Sequence, residues 1–242
     1  MAKRTNKKTE KFHGLDTSFK LKEIKALTET QEDVFESWSD EYNLMLHGVA
    51  GTGKTFLALY LAFKTILENE IYNKVYIVRS SVPSRDLGFL PGTAKEKMAE
   101  YEAPYKSNIN DLWGRGDAYD ILKTKGTLEF ISTSFLRGIT LNNCIIIVDE
   151  IQNMKFEELD TVITRVGKNV KIICSGDYRQ TDLKSNERSG LQKFLNIIDE
   201  MEEFSFIEFE AKDIVRSGLV KSYILKKLEL EDLQSSKKVA IL

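Results

Sequence analysis

The sequence predicts an α/β fold: a mostly parallel, doubly wound sheet with helices on both faces. Three observations predict it. Short runs of nearly continuous apolar residues recur along the chain, and longer stretches with apolar residues every three or four positions lie between them. The first run leads straight into a glycine-rich turn. Continuous apolar runs suit strands covered on both faces, the habit of parallel sheets. Their alternation with helical patterns indicates βαβ units.

Taken in order, the predicted strands are "NLMLHG", "KVYIVRS", "LEFIST", "CIIIVDE", "VKIICSGD" and "FSFIEFE". The helical patterns are "KTFLALYLAFKTILEN", "KFEELDTVITRV" and "SGLQKFLNIIDEM". Residues 1–20 form a basic arm, with Lys3, Arg4, Lys7, Lys8 and Lys11 against Glu10 and almost nothing apolar to bury. Such composition predicts disorder, as a solubilising tail or as a contact for nucleic acid or a neighbouring subunit. Residues 21–230 are expected to be a single domain, and 231–242 a tail in which the last helix frays at "LEDLQSSKK". Residues 83–126 break the rhythm: they hold all 3 prolines and much aromatic surface, and predict a structured insertion around one helix after Gly92.

A net charge of −2 neither demands nor excludes a polyanionic partner. The arm lacks the apolar stretch of a signal peptide, and no run is long enough to span a membrane. Cys144 and Cys174 sit in strand runs without partner histidines, so they predict buried, reduced thiols of a cytoplasmic protein rather than a zinc site.

The pattern Gly48-x-x-x-x-Gly53-Lys54-Thr55, with a strand before and a helix after, is a full phosphate-binding P-loop. Its glycines let backbone N–H groups converge on phosphates at a helix N-terminus. The predicted nucleotide contacts are Gly48, Val49, Ala50, Gly51, Thr52, Gly53, Lys54, Thr55 and Phe56, with Lys54 on the β- and γ-phosphates of ATP. Thr55 and Asp149, the latter at the end of "CIIIVDE", are the predicted Mg²⁺ residues, and Glu150 the group that polarises an attacking water. In "SGDYRQTDL", Gln180 follows a strand end and is expected to sense the γ-phosphate. The fold expectation is therefore a P-loop NTPase core.

These motifs, with "VRSSVPSRDLGFLPGTAKEKMAEY", "FLRGITLNNCIIIVDEIQN", "GDYRQTDL" and "DIVRSGLV", resemble the PhoH-like ATPases, which look like a single RecA-like motor core of superfamily 1 helicases. The likeness runs from about Gln31 to Lys227. It implies that Gln31 reads the adenine edge and that Gln152 couples the nucleotide to neighbouring segments. Ile139 stands where the family often has a second arginine, leaving Arg137 alone.

Such helicases take an arginine from a second motor domain, and the length here has no room for one. The expectation is a trans arginine and a homo-oligomeric ring, a hexamer, with ATP at subunit boundaries. Arg216, expected to face outward at the start of the last helix, is the first choice for that arginine; Arg188 and Arg137 follow. Single-stranded RNA or DNA is expected over Ser80, Ser81, Val82, Pro83, Thr133, Ser134, Phe135 and Arg137. Lys95, Lys97, Tyr101, Tyr105, Lys106 and Trp113 of the insertion suit either single strands or a subunit interface. The function expected is an ATP-hydrolysing, helicase-like motor. The alternative is an ATP-gated oligomeric switch, and a nucleotide kinase is disfavoured by Glu150 and Gln180.

Overall fold

A computed structural model describes residues 19–80, 94–177 and 185–239. Six strands form one sheet: β1 (Asn43–Gly48), β2 (Lys74–Arg79), β3 (Leu128–Ser132), β4 (Cys144–Val148), β5 (Val170–Gly176) and β6 (Phe204–Phe209). Every pairing is parallel, in the order β3-β2-β4-β5-β1-β6. Each predicted strand run is thus a strand of the expected sheet.

Strand alternation sorts the core into two layers. Leu44, Leu46, Ile145 and Ile147 face one cluster, which takes in α1 (Glu29–Ser39), α2 (Lys54–Glu68), α3 (Ala94–Trp113) and α4 (Ala118–Thr124). Met45, Ile146, Val148 and Cys174 face the other, with α5 (Phe156–Ile163) and α6 (Ser185–Asp199). α2 is apolar around most of its circumference, from Leu57 through Phe63 and at Ile66, because it lies between the sheet and α3. α1 starts at an N-cap, where Thr28 Oγ1 accepts from the Gln31 N–H at 3.3 Å, and acidic Glu29 and Glu32 in its first turn suit the helix's positive end. Burial pushes the thiols of Cys144 and Cys174 up to about 12, and neither is in a disulfide.

Three expectations about boundaries change, and one about a side chain. Phe19, placed in the arm, is buried and its ring lies 5.3 Å from that of Trp113. The insertion holds two helices, α3 and α4, rather than one, and Pro104 sits inside α3. α7 (Gly218–Val239) runs on through the predicted fraying point. Trp113, offered for single strands, packs edge-on against Phe63 in the core. Residues 1–18 of the arm lie outside the described residues.

The strand order matters for chemistry. β5 lies between β1 and β4, so the turn after β1, the end of β4 and the Gly176 end of β5 meet at the carboxyl edge of the sheet. Open α/β sheets bind ligands at that edge.

Candidate active site

The turn after β1 is shaped by glycines in the left-handed region. Gly48 has φ +112°, and a Cβ there would lie 2.1 Å from the Phe209 carbonyl oxygen on β6. Gly51 and Gly53, at φ +80° and +90°, carry the chain into α2. Lys54 Nζ donates to the carbonyls of Gly48 (2.9 Å) and Val49 (2.7 Å), while the Thr52 hydroxyl donates to Val49 O at 3.0 Å. Burial lowers the Lys54 pKa, and the nearby carboxylates of Asp177, Asp149 and Glu150 oppose the shift.

Opposite the loop, Asp149 is almost fully buried and receives three hydroxyls. Thr55 Oγ1 donates to both carboxylate oxygens at 3.2 Å, Tyr105 OH to Oδ2 at 2.7 Å, and Ser175 Oγ to Oδ1. A hard carboxylate next to a hydroxyl at the foot of a phosphate loop is the donor set that magnesium takes alongside phosphates. Tyr105 comes from α3, and burial raises its hydroxyl well above the usual phenol range, so it stays a donor. Tyr105, expected on single strands or at a subunit interface, serves neither: its ring is in the core and its hydroxyl is on Asp149. Sequence reasoning misses both Tyr105 and Ser175 for the acidic site, because nothing local ties them to residue 149.

Glu150 adopts φ +57°, a strained left-handed conformation for a non-glycine residue. Its carboxylate accepts from Gln152 Nε2, and Gln152 Oε1 in turn accepts the Asp177 N–H at 3.1 Å. Gly176 makes room for this bridge; a Cβ there would lie 2.6 Å from Gln152 Oε1. Burial first, then repulsion from Asp149, raises the Glu150 pKa, which suits a proton acceptor.

Gln31 is buried against the loop. Its Nε2 donates to Thr52 O at 3.0 Å and its Oε1 accepts the Leu27 N–H at 2.9 Å, which leaves one donor and one lone pair for a ligand. Arg216 precedes α7 and is exposed, with the base of its side chain over Gly51. A Cβ on Gly51 would touch its Cγ at 3.0 Å, and the neighbouring Val215 N–H bonds Gly51 O at 3.1 Å. The β6–α7 connector docks on the P-loop, so the exposed Arg216 lies at the rim of the chain's own cleft. That cleft, a cavity of about 570 Å³, is lined by Gln31, Lys54, Thr55, Asp149, Glu150 and Arg216, and also by Arg79 and by α3 through Tyr105, Asn108 and Asp111.

Two predicted strand-contact residues are turned inward. Ser80 Oγ donates to the Glu158 carboxylate at 2.9 Å, and the buried Thr133 hydroxyl donates to the same group. Glu158 also accepts the Lys155 N–H at the start of α5, at 3.1 Å. Their hydroxyls are held by a carboxylate, which corrects the expectation of phosphate contacts. Ser134, Phe135 and Arg137 are exposed on the turn after β3. Lys106 pairs with Asp120 of α4 at 2.7 Å, and Tyr101 lies under Arg79. Gln180, Ser81, Val82 and Pro83 lie outside the described residues, as do the side chains of Lys95, Lys97 and Arg188.

A parallel sheet with a glycine loop at one strand end and, two strands away, an Asp-Glu pair whose Asp is buried defines a P-loop NTPase core. The large terminase from a thermophilic bacteriophage shares this fold, with TM-score 0.50 and 14% identity over 82% of this chain and 50% of that one. The family profile described as "PhoH-like protein" matches residues 23–227, and the chain belongs to that family. The PhoH-like protein of Synechocystis is 36% identical over 178 residues, 73% of this chain and 54% of that protein. Protein PhoH of Escherichia coli is 31% identical over 198 residues, 81% of this chain and 56% of that protein. The chain spans about half the length of the curated relatives it matches. Among the described residues, no helix is long and apolar enough to cross a membrane.

Proposed function

We propose that the chain is a Mg²⁺-dependent ATPase. The observation that carries this is the meeting of Lys54, Thr55, Asp149 and Glu150 in one cleft, with Thr55 Oγ1 3.2 Å from both Asp149 oxygens. Bound magnesium would supply charge neutralisation for the β- and γ-phosphates. Lys54 exchanges the loop carbonyls for phosphate oxygens. Glu150 orients a water on the γ-phosphorus; the water oxygen forms the new P–O bond, its proton passes to Glu150, and the β–γ bridging bond breaks with its electron pair leaving on ADP. Gln31, with apolar Leu27 and Val215 beside it on the cleft rim, suits the adenine ring and its edge.

The test is phosphate release together with binding of a fluorescent ATP analogue. Lys54→Ala is expected to weaken binding at least ~100-fold, and Glu150→Gln to keep binding while turnover falls by about 10²–10⁴-fold. Wild-type protein that neither binds the analogue nor releases phosphate overturns the reading.

We further propose single-stranded nucleic acid as the second ligand, on the exposed Phe135 ring and Arg137 at the sheet's carboxyl edge. Assembly with further copies of the chain is supported by a stripe on α7, Leu219, Tyr223 and Leu230, which recur on one helix face and are 84%, 70% and 60% exposed. An ATP-gated switch without translocation is the alternative. It predicts hydrolysis that does not change with added single strands, whereas the motor predicts stimulation that weakens with salt.

A further inference from the structure

Arg79 is the last residue of β2 and follows an apolar run that explains itself as strand. Its position is set by the sheet. Val78 pairs with Val148 of β4, and the Asp149 N–H bonds Val78 O at 3.1 Å, so Arg79 stands level with the acidic pair. Alternation fixes its direction. Val78 packs in the layer with α5 and α6, while Ile77 packs in the layer with α2 and α3, so Arg79 projects toward α2 and α3. On that side its guanidinium lies 5.3 Å from the ring centre of Tyr101 on α3, and the side chain lines the same cleft as Lys54, Asp149 and Glu150.

Its partners are as informative as its place. Among the described residues, no carboxylate forms an ion pair with Arg79, although the cleft contains several. The Tyr101 ring meets the guanidinium by its face, a contact that uses none of its N–H donors and leaves them available to a ligand. An arginine that is half buried, oriented by an aromatic ring and, among the described residues, not held in an ion pair fits a polyanion entering the cleft. Arg216 approaches the same cavity from the other side, over Gly51, whereas Arg79 stands on the side of Glu150, where the attacking water would lie.

We propose that Arg79 is a catalytic residue that contacts the γ-phosphoryl oxygens of ATP from within the same chain, with Tyr101 as its positioning residue. This rests on the ATPase reading above. Charge grows on the γ-phosphoryl group as the bridging bond breaks, and a guanidinium placed there neutralises it in the same step that moves the water proton to Glu150. A second consequence follows for assembly. With Arg79 in cis, the contact to the γ-phosphoryl group proposed here does not depend on an arginine from a second copy.

The experiment compares wild type, Arg79→Gln, Arg79→Lys and Tyr101→Leu in three measurements: turnover, affinity for Mg·ADP, and affinity for a non-hydrolysable Mg·ATP analogue. Arg79→Gln is expected to lower turnover by about 10³-fold or more, in the range that arginine fingers supply. It should weaken the triphosphate analogue ~10-fold or more while ADP affinity changes less than ~2-fold. Arg79→Lys keeps the charge but loses the fork, and should recover part of the triphosphate preference. Tyr101→Leu should cause a smaller loss of the same kind. A purely structural Arg79 would instead lower both affinities together, or the melting temperature, without selectivity for the third phosphate. Mixing Arg79→Gln with Lys54→Ala protein should restore no turnover, since each cleft then lacks a group of its own; recovery on mixing would make the arginine act in trans and overturn the proposal. Wild-type turnover that Arg79→Gln leaves unchanged removes Arg79 alone. Wild-type protein with no turnover and no nucleotide binding removes the ATPase reading itself.

Discussion

The cleft has two walls built by different means. One is the loop from Gly48 to Thr55, where the positive φ of three glycines and the start of α2 do the shaping. The other is α3, which reaches Asp149 from 44 residues away through the hydroxyl of Tyr105 at 2.7 Å. The first wall is backbone, local and tolerant of few residue types. The second is a helix face, and its identity depends on what it packs against. A phosphate cradle can therefore be read from a short run of consecutive letters, while the wall that faces it cannot.

The comparison breaks most sharply at Gly48. A Cβ at that position meets the Phe209 carbonyl at 2.1 Å, and the position also needs φ +112°, so the backbones of β1 and β6 must separate. Gly48→Ala is expected to cost roughly 3 kcal/mol or more, in the range of strain combined with lost packing. Chemical denaturation should show it as a lower midpoint at unchanged slope. A variant with wild-type stability would mean that the loop wall is less constrained by its backbone than this contact implies.

The α3 wall should respond differently. Tyr105→Phe keeps the ring in its buried place and removes one of the three hydroxyls on Asp149. Loss of one partner of a metal-binding group typically costs about 10-fold or more in metal affinity. The magnesium concentration that half-saturates nucleotide binding should therefore rise ~10-fold, while binding without magnesium changes little. Thermal stability should fall by about 1–3 kcal/mol, since a buried carboxylate loses a donor. If the magnesium dependence stays fixed, α3 packs over the acidic site without tuning it.

What can be read from the letters follows the same division. The six strands are legible because parallel strands need apolar residues on both faces, and "CIIIV" leaves no other reading. The P-loop, Asp149 and Glu150 are legible because each is fixed by residues next to it. α3 begins where a helix is expected after Gly92, but its extent is not legible, since Pro104 argues against a helix interior and yet the helix runs through it, and α4 is not read at all. Arg216 stands out by its place near a helix start, but the contact that sets it beside the P-loop is not legible. Nothing in "DIVRSGLV" says that Val215 will bond Gly51, the contact that turns the connector onto its own loop. Arg79 carries no signal of its own, because a strand-end arginine is ordinary until the order of strands places β2 beside β4.

The smallest expected effects lie on the turn after β3, where the two kinds of residue sit side by side. Phe135 is 70% exposed, whereas Thr133 is 3% exposed and donates to Glu158 together with Ser80. If single strands bind this edge, Phe135→Ala should lower their stimulation of hydrolysis severalfold, because base stacking on an aromatic contributes about 1–3 kcal/mol. Thr133→Val should leave the stimulation within about twofold and act mainly on stability, by about 1.5–3 kcal/mol, as the loss of one hydrogen bond to a charged group predicts. Both can be measured in one titration of poly-pyrimidine RNA at two salt concentrations, with melting curves alongside. A larger effect from Thr133 than from Phe135 would mean that Glu158 releases the hydroxyls to a phosphate when a strand binds. The inward hydroxyls would then join the contact surface, and the division between a side-chain interior and an exposed edge would fail on this turn.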